Sequence, residues 1–386
     1  MPPDIPSFPT LQRSGHVNHS KRCLTGTALC VLPGDRWGYL LNGPSAALDR
    51  LGIVFYCLGI MDLLGALDTQ SEAEREWWRE WVWEQQQTRG ESGSGFRPGT
   101  FMTAGTPYRP DGTASPAAQN LDTGLSWSSL KHDAPHLIMT YCALLLLAML
   151  RDDFSRLDRP GLIKFLRTCQ KPDGSFSTVP GDTESDLRTL YCAFAISTML
   201  DDWSGIDVER ALTFVESCRT YEGGYGQSSF CESHGGIAYI ALASIYLAPP
   251  EHSKHHLSLA EREQSIRWFS GGFRGRTGKD ADACYCFWCG AGLKILGADY
   301  LFNSRPMAEF LASCQFKFGG ISKYPGEMPD PYHTYLSLAA ISLYPLDLDA
   351  SDTSAETWKL EPLDPLLNAK ESTARWARQY IPARRP

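Results

Sequence analysis

Residues 170–176 read QKPDGSF, and the glycine–apolar turn that ends this stretch returns down the chain. It stands at Gly174-Ser175-Phe176, Gly224-Tyr225, Gly272-Phe273 and Gly320-Ile321. The last residues of these turns lie 225 − 176 = 49, 273 − 225 = 48 and 321 − 273 = 48 positions apart. A further copy at Gly95-Phe96 falls out of step. The stretch 103–129 follows it, rich in Gly, Pro, Ser and Thr and without an apolar period, and reads as a long surface loop. A fixed period of this size marks a repeat architecture. Each repeat holds two helical stretches. One is amphipathic, with its charges on one face: Pro160–Gln170, Val208–Arg219, Leu259–Ser270 and Pro306–Gln315. Pro160 and Pro306 suit a first helical turn. The other is almost wholly apolar and rich in small residues: Tyr191–Leu200, Gly236–Leu247, Tyr285–Leu296 and Thr334–Tyr344. A helix that is apolar all round is buried. The economical arrangement is a ring of apolar helices inside a ring of amphipathic ones. That is an all-α fold, an α/α barrel or toroid of helix-pair repeats with a period of about 48 residues, and no strand pattern competes.

Composition narrows the function. The formal charge of −8 is too acidic for a nucleic-acid binder. The longest dense apolar run, LIMTYCALLLLAML (Leu137–Leu150), is 14 residues, too short to span a bilayer, and reads as a buried core helix, so no stable membrane insertion is expected. The 12 cysteines are spread along a long chain whose start, MPPDIPSFPTLQRSG, lacks the apolar core of a secretory signal. Reduced thiols and a cytoplasmic location follow as expectations. Residues 1–15 are expected to be disordered, residues 16–350 to form the barrel, and residues 351–386 to be an irregular segment with a short helix.

Reactive side chains recur where the apolar helices begin: His136, Arg188, His234, Cys284 with Asp282, and His333. The steps are 52, 46, 50 and 49 residues. In a ring of like repeats these positions share one rim. Helix N-termini carry free N–H groups and a positive dipole end, which favour an anion. Arg276 and Lys279 add cationic charge just before Asp282. A cationic mouth over an apolar interior suits an amphiphile with an anionic head. Asp282, Cys284 and His333 offer a carboxylate, a thiol and an imidazole, and three protein ligands with a fourth place open make a catalytic zinc site. Each residue also has a plainer reading. Asp282 can be a helix cap, Cys284 a small buried thiol, and the histidines hydrogen-bonded core residues. Arg276 and Lys279 can be solvated surface charge.

The stretches GFRGRTGKDADACYCFW (Gly272–Trp288), ESHGG (Glu232–Gly236), ESDLRTLYCA (Glu184–Ala193), QKPDGSF and PDPYH (Pro329–His333) resemble the β subunits of protein prenyltransferases. The resemblance runs from about His16 to Tyr344, interrupted at 103–129. The opening Arg22-Cys23-Leu24 with Val31-Leu32-Pro33, DRLGIVFYCLGIMDLL (Asp49–Leu64) and HDAPHLIMTYCALL (His132–Leu145) is most similar to the type I geranylgeranyltransferase β subunit. The resemblance implies one zinc on Asp282, Cys284 and His333. It implies a diphosphate held by His234, Arg276, Lys279 and Tyr285, and an isoprenoid pocket lined by Arg188, Tyr191 and Trp288. Lys323 stands where type I enzymes carry a lysine and farnesyltransferases an aspartate that helps bind magnesium, so magnesium would not be required. Gly52 falls where farnesyl-transferring relatives carry tryptophan, and type I enzymes threonine. It reads either as room for a longer tail or as a glycine that lets two helices approach. The implied partners are a helical-repeat α subunit, geranylgeranyl diphosphate, and proteins with C-terminal CaaX motifs ending in Leu or Phe, such as Rho-family small GTPases. A farnesyltransferase β subunit, a Rab-type β subunit and a helical-repeat scaffold are the rivals. A terpene cyclase would need an acidic D-x-D-D run, and none occurs.

Overall fold

The computed structural model describes residues 8–25, 50–99, 134–271, 273–276, 278–346 and 354–383. The expected loop at 103–129, the stretch Val31–Pro33 and Gly272 lie outside them. In chain order the helices are α1 (Arg13–Cys23), α2 (Arg50–Leu63), α3 (Glu72–Trp83), α4 (Leu137–Met149), α5 (Arg159–Cys169), α6 (Leu187–Leu200) and α7 (Val208–Ser217). There follow α8 (Gly235–Leu247), α9 (Leu259–Phe269), α10 (Ala283–Ile295), α11 (Ser304–Ser313), α12 (Pro331–Leu343) and α13 (Glu371–Tyr380). The even-numbered helices form the inner ring. Each packs on the next, and α12 returns to α2 to close it. The odd-numbered helices α1 to α11 lie outside. The fold is an α/α toroid.

Burial follows the two helix patterns. On α4 every residue from Met139 to Met149 is buried. The outer helix α7 buries Val208, Ala211, Leu212 and Val215, the i, i+3, i+4, i+7 stripe of a one-sided helix. The outer α5 does the same with Leu162, Phe165, Leu166 and Cys169. Caps fix where these helices start. Asp158 and Asp207 accept the backbone N–H of Gly161 and Arg210, and Ser71 and Ser258 make reciprocal capping boxes with Glu74 and Glu261.

The repeated turn has a steric cause. Gly174, Gly223 and Gly319 all have φ between 91° and 95°. A Cβ on Gly174 would lie 2.2 Å from the Arg210 carbonyl oxygen, and one on Gly223 would lie 2.7 Å from Gln264. The turn therefore presses its backbone on the next outer helix, which only glycine permits. Single antiparallel bridges Gln170–Phe176, Arg219–Tyr225 and Gln315–Ile321 fold each turn back on the outer helix before it.

Both terminal segments pack against the ring. Of the stretch 1–15 expected to be disordered, residues 8–15 are described, and there Phe8 packs edge-on against the buried Trp358 and Trp358 Nε1 donates to the Pro9 carbonyl at 2.8 Å. The irregular C-terminal stretch closes one end of the ring. Its short pair β3 (Leu363–Asp364) and β4 (Ala369–Lys370), numbered after the hairpin β1 (Gln86–Gly90) and β2 (Gly93–Phe96), brackets a turn inside the barrel. Four tyrosine hydroxyls donate to its carbonyls: Tyr239 to Pro365, Tyr191 to Leu366, Tyr141 to Leu367 and Tyr335 to Asn368. Lys370 Nζ meets Asp62 Oδ1 at 2.9 Å, both side chains nearly free of solvent. These tyrosines occupy one repeat position (191 − 141 = 50, 239 − 191 = 48, 335 − 239 = 96), and Phe287 fills the place between the last two.

Candidate active site

The N-termini of the inner helices share one rim, opposite α13. Asp282 caps α10, its Oδ1 accepting the Cys284 N–H at 3.0 Å. Asp330 caps α12, its Oδ1 accepting the His333 N–H at 2.9 Å. These caps bring three donors together: one ligand atom each from Asp282, Cys284 and His333 lies within 4.8 Å of the others. His333 Nε2 is 3.4 Å from Asp282 Oδ1. The opposite ring nitrogen, Nδ1, donates to Asp330 Oδ2 at 2.6 Å. Asp282 and Cys284 are buried. A thiol, an imidazole and a carboxylate, with a carboxylate behind the imidazole, fit zinc in both chemistry and outer support.

The site is electrostatically tight. Burial works against charge on His333, but its hydrogen bonds to Asp282 and Asp330 outweigh it and hold the pKa up at about 11. Burial pushes the Cys284 thiol up, with only part of the rise offset by His333. Burial also acts on Asp282, where hydrogen bonds from His333 and Cys284 prevail and hold its carboxyl below the usual range.

Beside these ligands opens a cleft of about 540 Å³ whose walls include His234, Arg276, Lys279, Asp282, Tyr285 and Lys323. His234 stands at the N-cap position of α8, and Tyr285 in the first turn of α10 reaches it, hydroxyl to Nε2, at 2.8 Å. Burial, then the nearby Arg276, lowers the His234 pKa and favours the uncharged ring. Its Nδ1 is buried without a partner. Arg276 Nη1 rests on Glu232 Oε2 at 2.8 Å. Lys323 is half-exposed, with Nζ 3.8 Å from Asp282 Oδ2. Its carbonyl accepts the Ala283 N–H at 2.9 Å, which ties the turn GGISKYP (Gly319–Pro325) to the start of α10. Three cations and the positive ends of helices α8 and α10 face one cavity, the setting of an anion site.

Other expected residues lie elsewhere. Tyr191 and Trp288 belong to the aromatic belt inside the barrel. Tyr191 meets Tyr141 and Tyr239, and Trp288 packs 5.2 Å from Tyr239 and donates Nε1 to Tyr332 at 3.1 Å. Arg188 is not on the cleft wall. Its guanidinium is held by Asp186 at 2.6 Å, with Glu184 at 3.4 Å. Gly52 sits in the first turn of α2, near the rim and not at the barrel floor, because the C-terminal turn supplies the floor. Among the described residues a Cβ there would meet only Met139, at 3.7 Å and 3.9 Å. Sequence reading missed Asp330, Glu232 and Tyr332. Asp330 lies in the quoted PDPYH run three residues before a candidate ligand, and Glu232 in ESHGG; the cap and the ion pair that give them roles exist only in the fold.

Asp330→Asn keeps the helix cap and removes the carboxylate behind His333. Metal affinity should fall about 10- to 100-fold with little change in melting temperature. Competition with a chelator of known affinity measures it, and unchanged metal affinity would show that Asp330 only caps α12.

A profile of the prenyltransferase α/α toroid domain matches residues 11–369. The β subunit of geranylgeranyl transferase type 1 from Arabidopsis thaliana is 42% identical over 225 residues, which are 55% of this chain and 60% of the Arabidopsis protein. Over that alignment the chain therefore spans less than two thirds of the relative's length. The Dictyostelium discoideum protein of the same name is 35% identical over 309 residues, 76% of this chain and 83% of the relative. The structure of Candida albicans protein geranylgeranyltransferase-I complexed with GGPP superposes with a TM-score of 0.74, at 22% identity, covering 96% of this chain and 99% of that one, a likeness of fold. The chain belongs to the prenyltransferase toroid family, among the β subunits of type 1 geranylgeranyl transferases.

Proposed function

We propose that this chain is the catalytic β subunit of a heterodimeric protein geranylgeranyltransferase. It moves a 20-carbon prenyl group from geranylgeranyl diphosphate to the cysteine of a C-terminal CaaX motif. The observation that carries this is the convergence of Asp282, Cys284 and His333 with a cationic cleft on one rim of an aromatic-lined barrel. Zinc, if held by those three residues, would lower the acceptor thiol's pKa and so favour its thiolate at neutral pH. The reaction forms a C–S bond at the first isoprenoid carbon and breaks the C–O bond to diphosphate. Charge grows on the leaving group, so donors already aimed at it act on the transition state. Arg276, Lys279 and the Tyr285 hydroxyl are those donors, and His234 orients Tyr285. Glu232 holds Arg276 in place until diphosphate arrives.

The α subunit is the expected partner. Phe230, Tyr324 and Met328 stand exposed on loops beside the mouth, apolar surface that a partner would cover. A cytoplasmic location accords with the described cysteines, which are free thiols. Among the described residues no helix is long and apolar enough to cross a membrane. Co-expression with the α subunit, followed by transfer of labelled prenyl groups to CaaX peptides, tests this reading. The pair should be active and the single chain inactive. Full activity of the single chain would refute the heterodimer.

Lys323 bears on magnesium. Its ammonium beside the cleft supplies positive charge near the departing diphosphate, which a magnesium ion would otherwise bring. Lys323→Asp should slow transfer without magnesium and create a magnesium response. Strong stimulation of the unmodified enzyme by magnesium would contradict this role.

A further inference from the structure

A second group of metal-ligand side chains stands on the outer wall, away from the mouth. His252 and His255 lie three apart on the 3₁₀ turn Pro250–His255 that follows α8. Residues i and i+3 of such a turn eclipse, so both rings come to one side. That side meets α7, where Glu209 and Glu216 lie two turns apart on one face. Glu209 divides its carboxylate. Oε1 takes Lys254 Nζ at 2.6 Å, while Oε2 faces both imidazoles, His255 Nε2 at 3.1 Å and His252 Nδ1 at 3.4 Å. The other nitrogen of His255, Nδ1, meets Glu216 Oε1 at 2.5 Å. One ligand atom from each of Glu209, His252 and His255 lies within 4.8 Å of the others.

An ion-pair network explains Lys254 on Glu209. A protonated His255 between Glu209 and Glu216 would extend that network, but it does not account for the second imidazole of the turn, His252, aiming Nδ1 at the same carboxylate oxygen. A metal site does, and it also explains Glu216. A ligating histidine donates its second N–H to a carboxylate, which fixes the tautomer and turns the free lone pair toward the metal. We infer that Glu209, His252 and His255 form a second divalent metal site, with Glu216 as the outer partner of His255. Two imidazoles and one carboxylate suit zinc, nickel or copper, with an open place for water. The site would clip the turn after α8 to α7. Half-exposed and without a thiolate, it would bind more weakly than the Cys284 site.

The test is metal counting on the full chain as purified, alone or with its partner. After equilibrium dialysis against buffered zinc, bound metal is measured by elemental analysis. The dialysis is repeated with Co²⁺, whose thiolate charge-transfer band reports only a site containing Cys284. The unmodified protein should take up two equivalents. His255→Gln, and separately the double variant Glu209→Gln/His252→Gln, should each lose one equivalent and keep the cobalt–thiolate band and prenyl transfer. Cys284→Ala should lose the band and keep one equivalent. Saturation of the unmodified protein at one equivalent, or two equivalents retained in both outer-wall variants, overturns the inference. Because the count on unmodified protein is itself decisive, a variant that fails to fold does not shelter the idea.

Discussion

Cys284→Ala is expected to abolish prenyl transfer while leaving the diphosphate donor bound. Cys284 is the thiol of the three-ligand set and sits in the first turn of α10, where the Asp282 cap holds it. Removing it leaves Asp282 and His333 facing each other with two donors, too few for a catalytic zinc site. Loss of an outer partner of a metal ligand already costs about 10- to 100-fold, so loss of a ligand itself should exceed that. The fold should survive, because alanine is helix-favouring and removes only a sulfur from the packed rim. His234, Arg276, Lys279 and Tyr285 are untouched, so the affinity for geranylgeranyl diphosphate should change little. Metal content, donor affinity and turnover are three separate readings. Normal turnover with normal metal content would mean the ligand set is misassigned.

Gly52→Trp is expected to switch the donor from 20 to 15 carbons. Gly52 lies in the first turn of α2, and a side chain added there starts, among the described residues, in ordinary contact with Met139 alone. That space makes a folded variant the expected outcome, and it leaves the helix-packing reading of this glycine little support. Since the C-terminal turn forms the floor, residue 52 would limit the tail from the side, as part of the wall near the rim. Burying one more five-carbon unit is worth roughly 4 kcal/mol at about 0.8 kcal/mol per carbon group, close to a thousandfold in preference. Competition between labelled 15- and 20-carbon donors reads this directly. A folded variant that keeps its 20-carbon preference would remove Gly52 from the selectivity wall, and an unfolded one would restore the packing reading.

Much of the ring was legible because its two helix types differ in periodicity. The apolar run on α8 and the one-sided stripe on α7 announce inner and outer positions without any contact information. Helix starts were less legible. Tyr191 marks where the apolar run begins, yet α6 starts at Leu187, because the Asp186 side chain caps it there. The triad was legible through repeat spacing, since equal repeat positions fall on one rim. Asp330 and Glu232 were not, because a hydrogen-bond partner is defined by distance and not by sequence interval. The C-terminal closure was hidden for another reason. Pro365 to Asn368 contribute backbone carbonyls, which have no sequence signature, to tyrosines whose own repeat spacing was visible but had no assigned partner. Arg188 sits at the start of α6, as its repeat position implied, and Asp186 and Glu184 hold its guanidinium there, partners that the spacing did not announce.

The central claim is that a cysteine thiol is alkylated by a 20-carbon donor on this rim, in a reaction that needs the metal Asp282, Cys284 and His333 would hold. The most direct measurement offers the purified β chain with its α subunit equal amounts of labelled farnesyl and geranylgeranyl diphosphate and a CaaX peptide ending in leucine. The same assay is run after zinc removal and again after zinc is restored. The 20-carbon thioether should predominate, vanish with the metal and return with it. A predominant 15-carbon product, or transfer undiminished in metal-free enzyme, would contradict the claim.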